Sequence, residues 1–169
     1  IPAVAAALAL IFGRIPNAQR QIVFFSLLIT AVVNALLILI ADFEGIQTLQ
    51  IGGWDAPVGI TLVADRLSSI MLFVSSIVLF AVMWYGISQG LRDGDEDDPV
   101  AVFLPTYMLL TMGVNISFLA GDLFNLYVGF EVFLVASYVL LTLGASAGRV
   151  RAGVGYVMVS MASSMIFLF

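Results

Sequence analysis

One carboxyl stands out because it lies where a charge is costly. Glu131 falls inside the apolar run Leu123–Leu143, eight residues from one end, which in a helix places it roughly 12 Å from that end. In a bilayer with a hydrocarbon core of about 30 Å that position is well inside, and insertion scales put a charge at the centre of a span at about 2.5–3.5 kcal/mol. A group that costly usually faces protein or water. Desolvation disfavours the charged form and a neighbouring cation favours it. A carboxyl held between those influences can take up and release protons near neutral pH. The plainer reading is a Glu that stays protonated and only bonds a neighbouring helix.

Polar side chains recur around it at helical spacing. Tyr127 and Tyr138 share a face with Glu131, since 11 residues is close to three turns. On the preceding apolar run Tyr107, Thr111 and Asn115 recur at i, i+4, i+8, and Tyr156, Ser160 and Ser164 repeat the spacing on the last one. With almost no loop between the runs ending at Ala120 and starting at Leu123, Thr111 is expected near the depth of Glu131. Such stripes can line a hydrated path or simply hydrogen-bond one helix to another. Asp122 precedes a helix and suits an N-cap, and Asn34 reads as a helix–helix contact. The acidic run Asp93, Asp95, Glu96, Asp97 and Asp98 reads as a solvated loop. The chain has no His and no Cys, the usual ligands of haem and iron–sulfur centres, so no metal and no cofactor are expected. No hydrolase pattern or phosphate-binding loop is present either, so no catalytic residue is assigned.

The elements that must hold these groups are membrane helices. Hydrophobic residues make up 62% of the 169 and charged residues 10%, against roughly 25% charged in a soluble domain, and the mean hydropathy is +1.14. A soluble core could not hide that much apolar surface, so lipid or other membrane subunits must cover it. A net charge of −5 gives no basic face for nucleic acid. The apolar stretches predict an all-α, polytopic transmembrane bundle in a single membrane domain. Its helices run over about 1–12, 21–41, 67–88, 100–120, 123–143 and 152–169, with both ends reading as truncated.

Sidedness follows from arginine. Arg14, Arg20, Arg92, Arg149 and Arg151 fall on one side of the alternating spans and Arg66 alone on the other. The positive-inside rule places the Arg-rich loops in the cytoplasm and the 42–66 loop outside. Within that loop, Ile46–Ile51 and Val58–Val63 flank the Gly/Pro-containing stretch Gly52–Pro57, which predicts a short extracytoplasmic β-hairpin with Trp54 at headgroup level.

The stretch Gly113-Val114-Asn115-Ile116-Ser117-Phe118-Leu119-Ala120-Gly121-Asp122-Leu123-Phe124-Asn125-Leu126-Tyr127-Val128-Gly129-Phe130-Glu131-Val132 closely resembles the antiporter-like membrane subunits shared by Mrp-type cation/proton antiporters, respiratory complex I and membrane-bound hydrogenases. The segment Gly52–Ile60 with Asp65-Arg66-Leu67-Ser68 looks like that family's hairpin and the entry to its third helix. Phe130 before the glutamate, and Ala136-Ser137-Tyr138 after it, make the D subunit of Mrp-type antiporters the nearest likeness. The resemblance implies that this is the N-terminal fragment of a larger subunit, covering about its first six helices. It further implies a secondary transporter, not an enzyme: a plasma (inner) membrane, multi-pass subunit of a multisubunit complex that exchanges Na⁺ for protons. Glu131 would be the proton-transfer group and its partner lysine would lie beyond Phe169, since this chain has no Lys. Its partners would be other membrane subunits, protons, Na⁺ and the lipid bilayer. Two competing readings are a proton-pumping subunit of a redox-driven complex and a structural membrane scaffold.

Overall fold

The structure, a computed structural model, describes residues 1–52, 59–89, 102–143 and 147–168. Trp54, Arg92 and the acidic run Asp93–Asp98 lie outside the described residues, as does the side chain of Arg149. In chain order the elements are α1 (Pro2–Ile11), α2 (Pro16–Phe43), β1 (Gln47–Ile51), β2 (Ile60–Ala64), α3 (Arg66–Ser88), α4 (Phe103–Leu119), α5 (Leu123–Thr142) and α6 (Ala147–Leu168). Helices α2, α3, α5 and the 150–167 stretch of α6 are each long and apolar enough to cross a membrane; α1 and α4 are shorter apolar helices. At 17 residues α4 stands at the lower limit for a span. Large apolar side chains such as Phe25, Val32 and Leu36 on α2 and Met158, Met165 and Ile166 on α6 point outward and are exposed, as a bilayer requires.

Several helices outrun their apolar stretches. Helix α2 begins at Pro16 and not at Gln21, because proline suits the first turn, where its missing N–H is no loss. Gln19 is fully buried there, its Nε2 donating to the Ala9 carbonyl oxygen of α1 at 3.0 Å. Likewise α6 begins at Ala147, so Arg149 and Arg151 belong to its first turns. Apolar length marks the hydrocarbon, whereas helix length also includes polar turns in the headgroup layer.

The inner packing depends on small and polar groups. Ala5, Ala6 and Ala9 let α1 lie close to its neighbours in a core completed by Val23, Leu27, Met83, Leu104, Tyr107 and Met108. Asn34 joins α2 to α3 by donating from Nδ2 to Ser76 Oγ at 2.6 Å and to the Leu72 carbonyl at 3.3 Å. Asp65 and Ser68 form a reciprocal capping box at the start of α3, each accepting from the other's backbone N–H, at 2.7 and 2.9 Å. The Ser68 N–H bond is the main reason the pKa of the Asp65 carboxyl is held below the usual carboxylate range. That cap therefore contributes fully above the unfolded carboxylate range and fades as pH falls through the lowered value. Arg66 pairs with Asp42 across the ends of α2 and α3; both are exposed, so the pair adds little stability.

The hairpin is antiparallel, Gln47 pairing with Ala64 and Ile51 with Ile60. It also holds the α4–α5 connection: Gly121 N–H donates to the Thr61 carbonyl at 3.0 Å, and Leu62 bridges Ala120. A side chain at Gly121 would meet Val63 and the Thr61 oxygen at 2.8 and 2.9 Å, so only glycine admits this docking. Asp122 caps α5 as expected, Oδ1 accepting from Asn125 N–H at 2.8 Å.

Candidate functional site

Two glycines bring the backbones of α4 and α5 together around Glu131. A Cβ on Gly113 would lie 2.6 Å from the Phe133 nitrogen, and one on Gly129 would lie 2.6 Å from Ser117 Oγ and 2.9 Å from its nitrogen. The antiparallel register that sets Gly113 against Phe133 and Ser117 against Gly129 sets Asn115, not Thr111, level with Glu131. Thr111 lies about one turn away. The physical reason is the connection: Ala120 and Asp122 are extended and rise about 3.3 Å per residue against 1.5 Å in a helix. The chain thus climbs past the end of α4 before α5 turns back. The Asn115 Oδ1 atom is buried and has no hydrogen-bond partner among the described residues.

Helix α6 supplies the other wall. Ser164, itself buried, donates its hydroxyl hydrogen bond to Glu131 Oε1. Deeper along the same interface Ser137 Oγ and Tyr156 Oη are 2.9 Å apart. The approach of α6 depends on Gly153, where a Cβ would meet Thr142 Cγ2 at 2.6 Å.

The half-buried Glu131 borders two clefts. One, of about 210 Å³, runs between α5 and α6 and is shared with Tyr138, Tyr156 and Ser160. The other, about 330 Å³, opens toward α4 and includes Thr106 and Leu109. A third cleft, about 380 Å³, begins beside Tyr127 and reaches Ser160, Ser163 and Ser164. Of the polar residues singled out in the sequence, Tyr127, Tyr138, Tyr156, Ser160 and Ser164 thus gather with Glu131 along the α5–α6 seam. Tyr107 and Thr111 do not. Tyr107 is buried in the core and donates from Oη to the Leu79 carbonyl of α3 at 2.7 Å, and Thr111 donates back to the Tyr107 carbonyl at 2.9 Å. Both hydroxyls are committed to backbone oxygens.

Ser137 and Thr106 border the site although no helical spacing picks them out. Six residues from Glu131, Ser137 lies off its helical face, and only the partner tyrosine on α6 shows its place. A carboxyl with a hydroxyl donor and further hydroxyls along a cleft has the parts for accepting a proton and handing it on.

These features define a multi-pass α-helical membrane protein with a carboxyl set between helices midway along a span. The family described as NADH:quinone oxidoreductase/Mrp antiporter, TM, matches residues 120–169. Over 165 residues the chain is 42% identical to a Staphylococcus haemolyticus protein named as antiporter subunit mnhD2, covering 96% of this chain and 32% of that one. It is 34% identical over 168 residues to the D subunit of the Na(+)/H(+) antiporter of Alkalihalophilus pseudofirmus, covering 99% and 33%. Among solved structures, a chain of the Mrp complex from Dietzia sp. superposes with a TM-score of 0.79 at 25% identity, over 99% of this chain and 32% of that one. A chain of the archaeal membrane-bound sulfane sulfur reductase shares the fold, with a TM-score of 0.84 at 19% identity over 99% and 34%. Residues 120–169 thus match that family, and over nearly its whole length the chain is similar to the D subunits of Mrp-type antiporters. It spans about a third of the length of the curated relatives it matches.

Proposed function

We propose that this chain is the N-terminal, proton-handling part of a membrane subunit in a multisubunit antiporter that exchanges Na⁺ for protons. The observation that carries the proposal is the Glu131 carboxyl, within a membrane-length helix, bonded to Ser164 and bordering clefts toward both α4 and α6. Protons reach Glu131 along the α5–α6 seam, through Tyr127 and Ser164 at the hairpin end and through Ser160, Tyr156, Ser137 and Tyr138 deeper in. Asn115 lies level with the carboxyl on α4 but on a different face from Gly113 and Ser117, which meet α5, while Tyr107 and Thr111 hold the helices in place. The chemistry is transfer of an ion, with no bond to carbon made or broken. A scaffold reading is disfavoured by the hydroxyls that continue from Glu131 along the clefts.

The fold alone is shared with a chain of a respiratory complex, so the driving force needs its own test. With the complete complex in sealed vesicles, an imposed Na⁺ gradient moves protons in the opposite direction without any electron donor. Proton movement that requires an electron donor and acceptor, and ignores the Na⁺ gradient, would establish the redox-driven reading instead.

Sidedness is part of the same proposal: the Arg-rich connections lie in the cytoplasm of a cell with this subunit in its plasma membrane, and the hairpin lies outside. Gln50→Cys and Gly148→Cys, both at exposed positions, distinguish the orientations. An impermeant thiol reagent added to intact cells labels the first and spares the second. Labelling of Gly148→Cys alone, or of both equally, overturns the topology.

A further inference from the structure

At the end of the bundle away from the hairpin, residues of α2 and α3 line a cleft of about 520 Å³. Its walls are aromatic. The Phe24 ring lies 5.4 Å from Trp84, 5.2 Å from Phe80 and 5.6 Å from Phe25, centroid to centroid. Trp84 and Phe25 nonetheless remain 58% and 56% exposed, so the cluster buries one side of each ring and presents the other outward. At the rim stand Arg20, Gln21 and Ser88.

Level decides what such a cleft meets. Both α2 and α3 are membrane-length apolar helices. Arg20 lies in the first turns of α2, and Ser88 is the last residue of α3. The rim therefore sits at the membrane–water boundary, with Trp84 in the interfacial layer where indole is favoured and the phenylalanines facing the hydrocarbon. Arg20 is half-buried, and among the described residues it makes no ion pair; the one present joins Arg66 to Asp42. A guanidinium at the mouth of an apolar slot between two spans matches a molecule with a phosphate at one end and an acyl chain at the other.

We propose that this cleft binds an anionic phospholipid, with its phosphodiester on Arg20 and an acyl chain against Phe24, Phe25 and Trp84. Arg20 gives the preference for a net negative headgroup over a zwitterionic one, and Gln21 and Ser88 add hydrogen-bonding groups at the rim. The site is remote from Glu131 and does not depend on ion translocation.

Trp84 provides the readout. The complete complex is placed in phosphatidylcholine vesicles containing increasing fractions of phosphatidylglycerol with brominated acyl chains. The Trp84 signal is taken as the difference from a Trp84→Phe complex. Brominated phosphatidylglycerol is expected to quench it with an apparent affinity about fivefold higher than brominated phosphatidylcholine, the effect of roughly one basic residue at a charged surface. Raising the salt concentration narrows the gap. Arg20→Gln abolishes the preference and Arg20→Lys retains most of it, with assembly of both checked on native gels. Equal quenching by the two lipids, or a preference that survives Arg20→Gln, overturns the proposal. So does a Trp84 that neither lipid reaches, which would mean that a protein segment fills the cleft. A preference seen only after Asp93, Asp95, Glu96, Asp97 and Asp98 are neutralised overturns it as well, because those acids would then be the ones that satisfy Arg20.

Discussion

Vesicles whose complex carries Glu131→Gln should exchange cations for protons at close to background rate, with the complex fully assembled. Gln keeps the length of Glu and can still accept the Ser164 hydroxyl at its Oε1, so packing is nearly unchanged, but it cannot release and rebind a proton. A positioned proton-transfer group typically contributes roughly 10²-fold or more to a rate, and the loss should be of that order. Glu131→Asp keeps the titrating group but withdraws it by one carbon–carbon bond, about 1.5 Å, which stretches the link to Ser164. Exchange should fall to an intermediate level. A Glu that is permanently protonated and serves only packing predicts the reverse ranking: Gln would substitute well and Asp, leaving a gap, would be the poorer replacement. Normal exchange by an assembled Glu131→Gln complex would remove this residue from the proton route.

The second large effect concerns assembly. At Gly113 an added Cβ would lie 2.6 Å from the Phe133 nitrogen and 2.9 Å from its Cα. Both are backbone atoms that no rotamer change can move. Gly113→Val must therefore push α5, the helix that carries Glu131, off α4. Overpacking a tight core commonly costs about 1–3 kcal/mol, and a backbone collision belongs at or above the top of that range. Gly129→Val meets the Ser117 nitrogen at 2.9 Å and should act in the same way. Gly155→Ala is the control, because nothing lies within 4 Å of its added methyl group. The measurement is the yield of assembled complex and its thermal unfolding in detergent. A Gly113→Val complex recovered in normal yield, with the melting temperature of the Gly155→Ala control, would show that α4 and α5 do not pack as described.

These two residues also mark where the sequence stops being legible. Hydropathy finds the spans because their outer faces must match lipid. Turn and cap chemistry finds the hairpin, the Asp122 cap and the Asn34 contact, since each is decided within a few residues or by one polar group with no other outlet. The level of a residue on one helix relative to another is a different kind of quantity. Counting back from the short connection places Thr111 beside Glu131, but the extended residues at Ala120 and Asp122 shift the pairing to Asn115. The hairpin that holds the connection comes from nearly 60 residues earlier in the chain. Tyr107 shows the same limit: its spacing with Thr111 and Asn115 is helical, yet its hydroxyl turns to α3 because a carbonyl oxygen waits there. Ser137 has no periodic relation to Glu131 and acquires a place only when α6 brings Tyr156 against it.

The docking of the hairpin on the α4–α5 connection has a mechanical consequence. One end of α4 and α5 is tied through Thr61 and Leu62 to the strand that leads directly into α3, whose neighbouring end is joined to α2 by Arg66 and Asp42. The opposite ends have no comparable strand across them among the described residues. A bundle tethered at one end behaves as a set of levers with a common fulcrum. Helix α5, at 20 residues, is roughly 30 Å long, so a tilt of about 5° at the tether displaces its far end by roughly 2–3 Å while moving Glu131, nearer the fulcrum, by only about 1 Å. The carboxyl, close to the tether, moves least, and the far end of α5, where Thr142 packs on Gly153 of α6, moves most.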